Sequence, residues 1–485
     1  MRSRFWTRQS AAKVASDQQE DKFKRIMNII EIYSRFKECG SVTTDTRTLK
    51  GGEMFFALKG ENFDGNEYAL KALESGAAYA VVNSSSSVAT QAEEGKIDKV
   101  ITERLIVVED TLLTLQELAR WHRSMTFVDG KPLTVIALTG TNGKTTTKEL
   151  IREVLSAKYK VTATEGNLNN SIGVPLTLLK INAQTQIAVV EMGASHPGDI
   201  KELVNIALPN FGLITNVGKA HLLGFGSFEG VMQTKGELYD YLRRTADKVF
   251  LNVDNPYLCR MASERELHND SERPDQSLVI PYGLEFSQAK VLASTPQEPF
   301  LRIEMNDSTT IRTNLVGSYN ADNVMAALAV GEHFGISLEE GIKAIEAYIP
   351  SNKRSQMTKT ERNTLILDAY NANPTSMEAA LNNFANVEAA HKTAMLGDML
   401  ELGEESQKEH IRIAQMAMSM NLDLVCFVGE EFRKAVAGME QTGNAICFST
   451  SAELAQWLKS NPVNDSVILI KGSRGTRMEN VTETV

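Results

Sequence analysis

The stretch "LTGTNGKTTTKEL", residues 138–150, carries the residue types of a phosphate-binding loop. The strand-like run "LTVIAL" precedes Gly140 and Gly143, and Lys144, three threonines and a helical pattern follow. A strand, a glycine turn, Lys, Thr and a helix form the context that such a loop requires. We expect loop N–H groups and the positive helix end to bind phosphates, with Lys144 reaching the β- and γ-phosphates and Thr145 on Mg²⁺. The usual first glycine is absent, because Leu138 stands there.

A loop of this kind needs an acidic partner for its metal, at the end of a nearby strand. Glu191 in "QIAVVEMG" follows four apolar residues and occupies such a position. Alone it would be read as a solvated strand-end residue, but beside the loop we favour the metal role.

Two further residues lie in "ITNVGKAHLLGFGSFEGVMQTKGEL". A lone histidine such as His221 is more often structural, and a helical lysine such as Lys235 is more often on the surface. The spacing of these residues therefore does not establish a functional role for either. The asparagines of "EGNLNNSIG" either hydrogen-bond a sugar or phosphate or serve ordinary turns.

The elements that must position these residues fall into three blocks. Residues 27–125 predict a small α/β domain. Residues 126–348 predict a doubly wound parallel sheet around the loop, because short buried apolar runs alternate with helical patterns. Residues 349–485 repeat that rhythm, with "IPSNKRSQ" as the linker. Residues 1–26 are polar and are expected to form a disordered or extra extension.

Composition narrows the function further. The net charge of −10 and the absence of a long basic run argue against nucleic-acid binding. No apolar run approaches the ~18 residues of a membrane span. Four scattered cysteines without zinc-ligand spacing fit a reduced compartment, so we expect a cytoplasmic protein, with a monomer as the default.

These patches together resemble the Mur ligase superfamily, over roughly residues 27–480. The motifs are "TDTRTLKGGEMFFALKGENFDGNEYALKALESGA", "GTNGKTTT", "EGNLNNSIGVPLTLL", "VVEMGASHPGDI", "ITNVGKAHLLGFGS", "DAYNANPTSMEAAL", "LGDMLELG" and "KGSRGTRME". "YNANP" with "GDMLELG" points to the branch that adds D-alanyl-D-alanine. The resemblance implies a uridine-nucleotide domain, a P-loop ATPase-like domain and a Rossmann-like C-terminal domain.

It also implies an ATP-dependent ligase that uses Mg²⁺ and joins D-alanyl-D-alanine to UDP-N-acetylmuramoyl-tripeptide. Its ATP-binding residues are Gly140, Thr141, Asn142, Gly143, Lys144, Thr145, Thr146, Asn320, Asn323, Arg354 and Asp368. Its substrate-binding residues are Thr44, Asp45, Arg47, Asn167, Asn169, Asn170, Asn371 and Asn373. Its metal ligands are Thr145, Glu191, His221 and Lys235, the last as a carbamate made from CO₂. Lys144, Lys235 and His221 are its catalytic residues.

The chain departs from the family pattern in two places. Tyr319 stands in "GSYNADN" where the family has His, and "LDAY" replaces Asp-Asp-Ser-Tyr, so that only Asp368 can carry the acidic role. The alternatives are a sister Mur ligase or a folylpolyglutamate synthase-like ligase, a P-loop kinase or GTPase, and a degenerate paralogue. The sequence has no N-K-x-D base-reading motif of a GTPase, and Lys144, Thr145 and Glu191 are all present.

Overall fold

The computed structural model describes residues 29–485 except 268–276, 296, 351–355 and 440–442. The predicted extension 1–26 and Arg354 therefore lie outside the described residues. The fold is α/β with mainly parallel sheets. The chain divides into two units: the described part of Met1–Leu133 with Asn167–Ala188 and Asn205–Leu208, and Thr134–Gly166 with Val189–Val204 and Pro209–Val485.

The first unit is built on a four-stranded parallel sheet in the order β1-β2-β3-β4. Its strands are β1 (Val42–Thr43), β2 (Met54–Phe56), β3 (Tyr79–Asn83) and β4 (Leu105–Val108), and β5 (Phe127–Val128) and β6 (Lys131–Pro132) pair separately. Its helices are α1 (29–39), α2 (Ala69–Glu74), α3 (Ser87–Glu93), α4 (Lys99–Thr102) and α5 (Thr111–Ser124). Strands β2 and β3 are almost completely buried, which accounts for the unbroken apolar runs "MFFAL" and "YAVV".

The central block holds a six-stranded sheet in the order β12-β11-β10-β7-β9-β8. Its strands are β7 (Thr134–Thr139), β8 (Val161–Ala163), β9 (Ile187–Glu191), β10 (Phe211–Ile214), β11 (Lys248–Asn252) and β12 (Val279–Tyr282), followed by the antiparallel strands β13 (Lys290–Leu292), β14 (Arg302–Glu304) and β15 (Thr310–Arg312). Its helices are α6 (Lys144–Ser156), α7 (Gly173–Leu178, in the first unit), α8 (Asp199–Ala207), α9 (Leu222–Phe225), α10 (Phe228–Thr245), α11 (Pro256–Ser263), α12 (Ala321–His333) and α13 (Leu338–Ala347). Strand β7 lies inside the sheet where the strand order reverses, and ligands of such sheets bind at that point, beyond the carboxyl ends of the strands.

The C-terminal block contains a second six-stranded sheet in the order β16-β17-β21-β18-β19-β20. Its strands are β16 (Gln356–Lys359), β17 (Thr364–Asp368), β18 (His391–Gly397), β19 (Leu424–Val428), β20 (Ala445–Phe448) and β21 (Ser466–Lys471), and its helices are α14 (Pro374–Ala385), α15 (Ser406–Met418), α16 (Glu430–Ala437) and α17 (Ser451–Ser460). Only β16 runs antiparallel in this sheet. Strands β17, β21 and β18 are neighbours, so the motifs "YNANP", "KGSRG" and "GDMLELG" that follow them meet at one sheet edge.

Helix α6 shows why the phosphate loop is rigidly seated. Its apolar residues Leu150, Ile151, Val154 and Leu155 recur at helical spacing and are fully buried. Each such side chain contributes about 1.5–3 kcal/mol on burial. The helix packs on α12, where Gly331 allows a close approach to Val154. In the described part of the chain, no helix is long and apolar enough to cross a membrane.

Candidate active site

The phosphate loop needs glycine at two positions. Gly140 has φ +149°, and a Cβ there would lie 1.9 Å from Thr215 Oγ1. Gly143 has φ +79° at the start of α6, and its Cβ would lie 2.6 Å from Asn323 Oδ1. Both the backbone conformation and the space exclude a side chain. The two glycines that this loop requires are therefore three residues apart, and the loop does not need a glycine at position 138, which is Leu138.

Thr215 and Asn216, at the end of β10, hold the loop from below. Thr215 Oγ1 and Asn216 Nδ2 donate to Asn142 O at 2.6 and 3.0 Å. The N–H groups of Thr141 and Asn142 donate to Asn216 O and Oδ1 at 2.9 and 3.0 Å. The expectation that these loop amides point at phosphate thus needs revision, because Asn216 already accepts from both. The first turn of α6, whose N–H groups have no acceptor inside the helix, is the better anion site.

Thr145 and Glu191 supply the oxygen atoms for a metal. Thr145 Oγ1 donates to Glu191 Oε2 at 2.9 Å, and both residues are buried. Mg²⁺ prefers hard oxygen ligands and is usually held by one or two carboxylates together with substrate phosphates. No group of three or more His, Cys, Asp or Glu side chains suited to a metal occurs among the described residues. The Thr145–Glu191 pair fits a Mg²⁺ that completes its coordination on a nucleotide.

Lys144 lies folded over the loop. Its Nζ donates to Gly140 O at 2.8 Å and to Thr141 O at 3.2 Å. The lysine therefore already sits at the mouth of the loop, and a bound phosphate would take over these hydrogen bonds.

Lys235 lies on α10 with its side chain in the interior. Its Nζ is 5.7 Å from the centre of the Phe225 ring. Burial, followed by repulsion from Lys144, lowers the pKa of Lys235 well below its ordinary value, and Asp199 opposes this shift. The alternative prediction, that Lys235 is a surface lysine, is therefore wrong. Burial disfavours the charged form of an amine and so increases the fraction of the neutral, nucleophilic form.

His221 has a left-handed backbone, with φ +50° at the start of α9. Its Nδ1 contacts the carboxylate of Glu401 in the C-terminal block. The pKa of His221 is lowered, first by burial and also by repulsion from Lys144 and Lys235, while the carboxylate of Glu401 opposes this shift. The structure thus brings His221 within electrostatic range of both lysines, which the sequence alone did not establish.

Asn320 and Asn323 form a chain of hydrogen bonds that joins α12 to α6. Thr147 Oγ1 donates to Asn323 Oδ1, Asn323 Nδ2 donates to Asn320 Oδ1, and Asn320 Nδ2 donates to Val316 O, at 2.9, 2.9 and 2.8 Å. The two asparagines were assigned to ATP by resemblance. In this structure their amides hold the helix that carries the phosphate loop.

Asn373 connects the C-terminal block to the phosphate loop. It caps α14 by accepting from Ser376 N–H, and its Nδ2 donates to Asn142 Oδ1 at 2.8 Å. Asn371 turns its Oδ1 onto the N–H of Ala372. The carboxyl edge of the C-terminal sheet therefore faces the nucleotide loop directly.

Asp368 has a partner that sequence reasoning did not single out. Lys471 is buried, with a side chain 1% exposed, and its Nζ pairs with Asp368 Oδ2 and donates to Asn371 O at 3.3 Å. Ser473 Oγ donates to Ala372 O and accepts from Leu400 N–H. "KGSRG" thus joins the other two C-terminal motifs, a role that its appearance among the family motifs could have signalled.

The predicted substrate residues of the first unit form local structure. Asp45 caps a turn by accepting from the backbone N–H of Arg47, and its carboxylate also pairs with the guanidinium of Arg47 at 2.7 Å. Hydrogen bonds from Arg47 lower the pKa of Asp45 to about 2. The Arg47 side chain is 87% exposed, and Thr44 is half-buried beside it. The guanidinium of Arg47 is therefore accessible to an anion from solvent, although it is paired with Asp45.

The asparagine loop before α7 supports the turn interpretation for one member. Asn170 Oδ1 accepts from Ile172 and Gly173 N–H at 3.2 and 2.9 Å. Asn167 O accepts from Asn169 N–H at 2.8 Å. Asn170 therefore stabilises the turn that leads into α7, and the sugar or phosphate role stays a prediction for all three.

A doubly wound sheet with a glycine loop, an adjacent lysine and a buried Thr–Glu pair defines a P-loop nucleotide-binding protein. The chain is 33% identical over 452 residues to the UDP-N-acetylmuramoyl-tripeptide–D-alanyl-D-alanine ligase of Bacillus subtilis, covering 91% of this chain and 92% of the relative. Models of the Mur ligase family catalytic domain, the Mur ligase middle domain and the Mur ligase glutamate ligase domain match residues 38–123, 138–331 and 353–474. The chain belongs to the Mur ligase family.

Solved structures show the same similarity. MurF from Acinetobacter baumannii superposes with a TM-score of 0.76 at 29% identity, covering 91% of this chain and 92% of that one. MurF from Thermotoga maritima, solved in complex with ADP, gives 0.73 at 27% identity and covers 92% and 96%. The three-domain α/β architecture expected from the sequence is confirmed, and the domain boundaries stay predictions.

Proposed function

We propose that this protein joins D-alanyl-D-alanine to UDP-N-acetylmuramoyl-tripeptide at the expense of ATP, giving the pentapeptide precursor of peptidoglycan. The observation that carries the proposal is the intact phosphate loop with its buried Thr145–Glu191 pair, in a chain related over nine tenths of its length to ligases of that name. The Thermotoga maritima relative's complex with ADP supports ATP as the nucleotide.

The first step activates a carboxylate. The tripeptide's terminal carboxylate oxygen attacks the γ-phosphorus, and the bond to the β-phosphate oxygen breaks. ADP is the leaving group, and the carboxylate becomes an acyl phosphate. Lys144 neutralises charge on the transferring phosphoryl group, and the first turn of α6 binds its oxygen atoms. Thr145 and Glu191 would hold Mg²⁺, which supplies further charge neutralisation on the phosphates.

The second step forms the amide bond. The free amine of D-alanyl-D-alanine attacks the acyl carbon, and the tetrahedral intermediate collapses with loss of phosphate and a proton. Much of the rate enhancement would come from holding three substrates together. The contact of Asn373 with Asn142 supports such positioning, because it brings the "YNANP" loop against the nucleotide loop.

Lys235 is proposed to react with CO₂. Burial lowers the pKa of Lys235 and so increases the fraction of neutral amine, whose nitrogen can attack CO₂ and lose a proton to give a carbamate anion. The carbamate anion would suit a second metal near His221. Incubation with ¹³C-bicarbonate should give a carbamate carbon signal that is lost in Lys235→Met. An unchanged signal in the variant would contradict the assignment.

The test of the main proposal is phosphate release from ATP and Mg²⁺ with UDP-N-acetylmuramoyl-tripeptide. Release should require D-alanyl-D-alanine and should fail with D-alanine alone. Lys144→Met should abolish it, whereas Lys343→Met, an exposed lysine on α13, should not. Release with a single amino acid, or with another acyl substrate, would instead support a sister Mur ligase or a folylpolyglutamate synthase-like ligase.

Two further expectations belong to this proposal. The dependence on ATP supports the cytoplasm as the place of reaction. A monomer is the expected state, and sedimentation with and without substrates would test it.

A further inference from the structure

One loop touches both the nucleotide site and the C-terminal block. We call residues 215–226, which include the short helix α9, the bridging loop. On one side Gly218 N–H donates to Thr141 Oγ1 at 3.0 Å, next to the contacts from Thr215 and Asn216 described above. On the other side the loop meets α14, α15 and the segment before α15. Whatever holds the outer side therefore acts on the phosphate loop and on His221.

The outer side makes backbone hydrogen bonds to the C-terminal block. Lys219 N–H donates to Thr375 Oγ1 at 3.2 Å, and Leu223 N–H donates to Glu401 O at 3.2 Å. Gly218 permits the approach, since a Cβ there would lie 2.7 Å from Thr375 Oγ1. These two N–H groups lose their acceptors when the blocks separate.

The side chain of Lys219 adds an ion pair across the same boundary. Its Nζ lies 2.6 Å from Glu409 Oε1 on α15. The Glu409 side chain is 1% exposed, and that of Lys219 is 44% exposed. Arg412 Nε donates to the other oxygen, Glu409 Oε2, at 2.8 Å, and its Nη1 donates to Glu378 at 2.8 Å.

The two cations that pair with Glu409 come from different parts of the fold: Lys219 from the bridging loop and Arg412 from the same helix as Glu409. Burial opposes the charge of Glu409, but the hydrogen bonds from Lys219 and Arg412 outweigh it and lower the pKa of this carboxyl group. A buried carboxylate that loses one of two cations is strongly disfavoured. Arg412 stays with Glu409 on the same helix, so Lys219 is the partner that separation of the blocks removes. The ion pair thus favours the docked arrangement.

We propose that Lys219 is a positioning residue for the ligase reaction, which pairs with Glu409 to keep the C-terminal block docked on the bridging loop. Docking places Asn373 on Asn142 and Glu401 on His221. The inference rests on the proposed function. It predicts that Lys219 influences turnover without contacting ATP.

The experiment compares Lys219→Met, which keeps the aliphatic stem, with Lys219→Arg. Lys408→Met is the matched control, because Lys408 is exposed on the same helix as Glu409. We expect Lys219→Met to lower kcat about tenfold, a reduced effect for a half-exposed partner, with ADP affinity changed less than about twofold. Lys219→Arg should recover most of the rate.

Amide hydrogen exchange reads the docking directly. Exchange in residues 217–224 should accelerate in Lys219→Met and stay at the wild-type rate in Lys408→Met. Unchanged kcat and exchange in Lys219→Met would overturn the proposal. So would faster exchange spread over the whole chain, which would show a structural role only. A wild-type enzyme without dipeptide-dependent turnover would instead overturn the proposed function, and exchange would still decide whether Lys219 maintains docking.

Discussion

Replacing Gly140 with alanine should damage the phosphate loop in a way that can be worked out in advance. The new Cβ would lie 1.9 Å from Thr215 Oγ1, whereas ordinary contact begins at about 3.4 Å, so the atoms must separate by about 1.5 Å. Strain at positive φ costs about 1–3 kcal/mol, and overpacking costs about 1–3 kcal/mol. We expect a loss of about 2–6 kcal/mol of stability.

The effect on function should be larger than the effect on folding. A misplacement of about 1 Å in a site that positions reactants can cost about 10²-fold in rate. Gly140→Ala should therefore reduce dipeptide-dependent phosphate release by about that factor and weaken ADP binding. Gly95→Ala is the matched control, because Gly95 also has positive φ, +68°, but has no atom within 4 Å of its Cβ. The control should lower the melting temperature slightly and leave activity intact.

A second substitution makes the reasoning refutable. Thr215→Ala removes the hydroxyl that obstructs the new Cβ, and Asn142 O keeps its hydrogen bond from Asn216 Nδ2. Alone it should cost about 1 kcal/mol. In the double variant, ADP binding by calorimetry should be about tenfold tighter than in Gly140→Ala. Strictly additive losses would show that the clash with Thr215 is not the cause.

Three other substitutions probe buried charges and the metal site. Lys235→Met should abolish turnover yet raise the melting temperature in CO₂-free buffer. Because burial lowers the pKa of Lys235 in the folded state, the unfolded state binds more protons and wild-type stability falls as pH falls; calorimetry from pH 9 to pH 6 should show a steeper slope in the wild type than in Lys235→Met, and equal slopes would contradict it. Lys471→Met should destabilise the fold by about 3–5 kcal/mol, because Asp368 loses its buried partner, while the exposed Lys343→Met should leave the denaturant midpoint unchanged. Thr145→Val should retain ADP binding without metal but raise the Mg²⁺ concentration needed for half-maximal turnover at least about tenfold; an unchanged Mg²⁺ requirement would remove Thr145 from the metal site.

Local patterns carried the prediction of the nucleotide loop. The strand before Gly140, the helix after Gly143 and the strand end at Glu191 all follow from residue order and periodicity. The positions of such residues along one parallel sheet then follow, because carboxyl ends of parallel strands share an edge.

Contacts between distant segments could not be predicted in the same way. Asn142 with Asn373, and Asp368 with Lys471, join residues more than 100 positions apart. An asparagine that caps α14 has the same local signature whether or not its amide also reaches another block. Likewise, a lysine at a strand end reads as exposed until the neighbouring strand order is known.

The hydrogen bond between Thr147 and Asn323 has a consequence for how the chain is made. It joins residues 176 positions apart, and synthesis at about 5–20 residues per second separates their appearance by about 9–35 s. During that interval the phosphate-loop motif exists, but the helix on which α6 packs does not. The packing that seats the phosphate loop is therefore completed only after α12 has been made, and until then the apolar face of α6 lacks this partner helix.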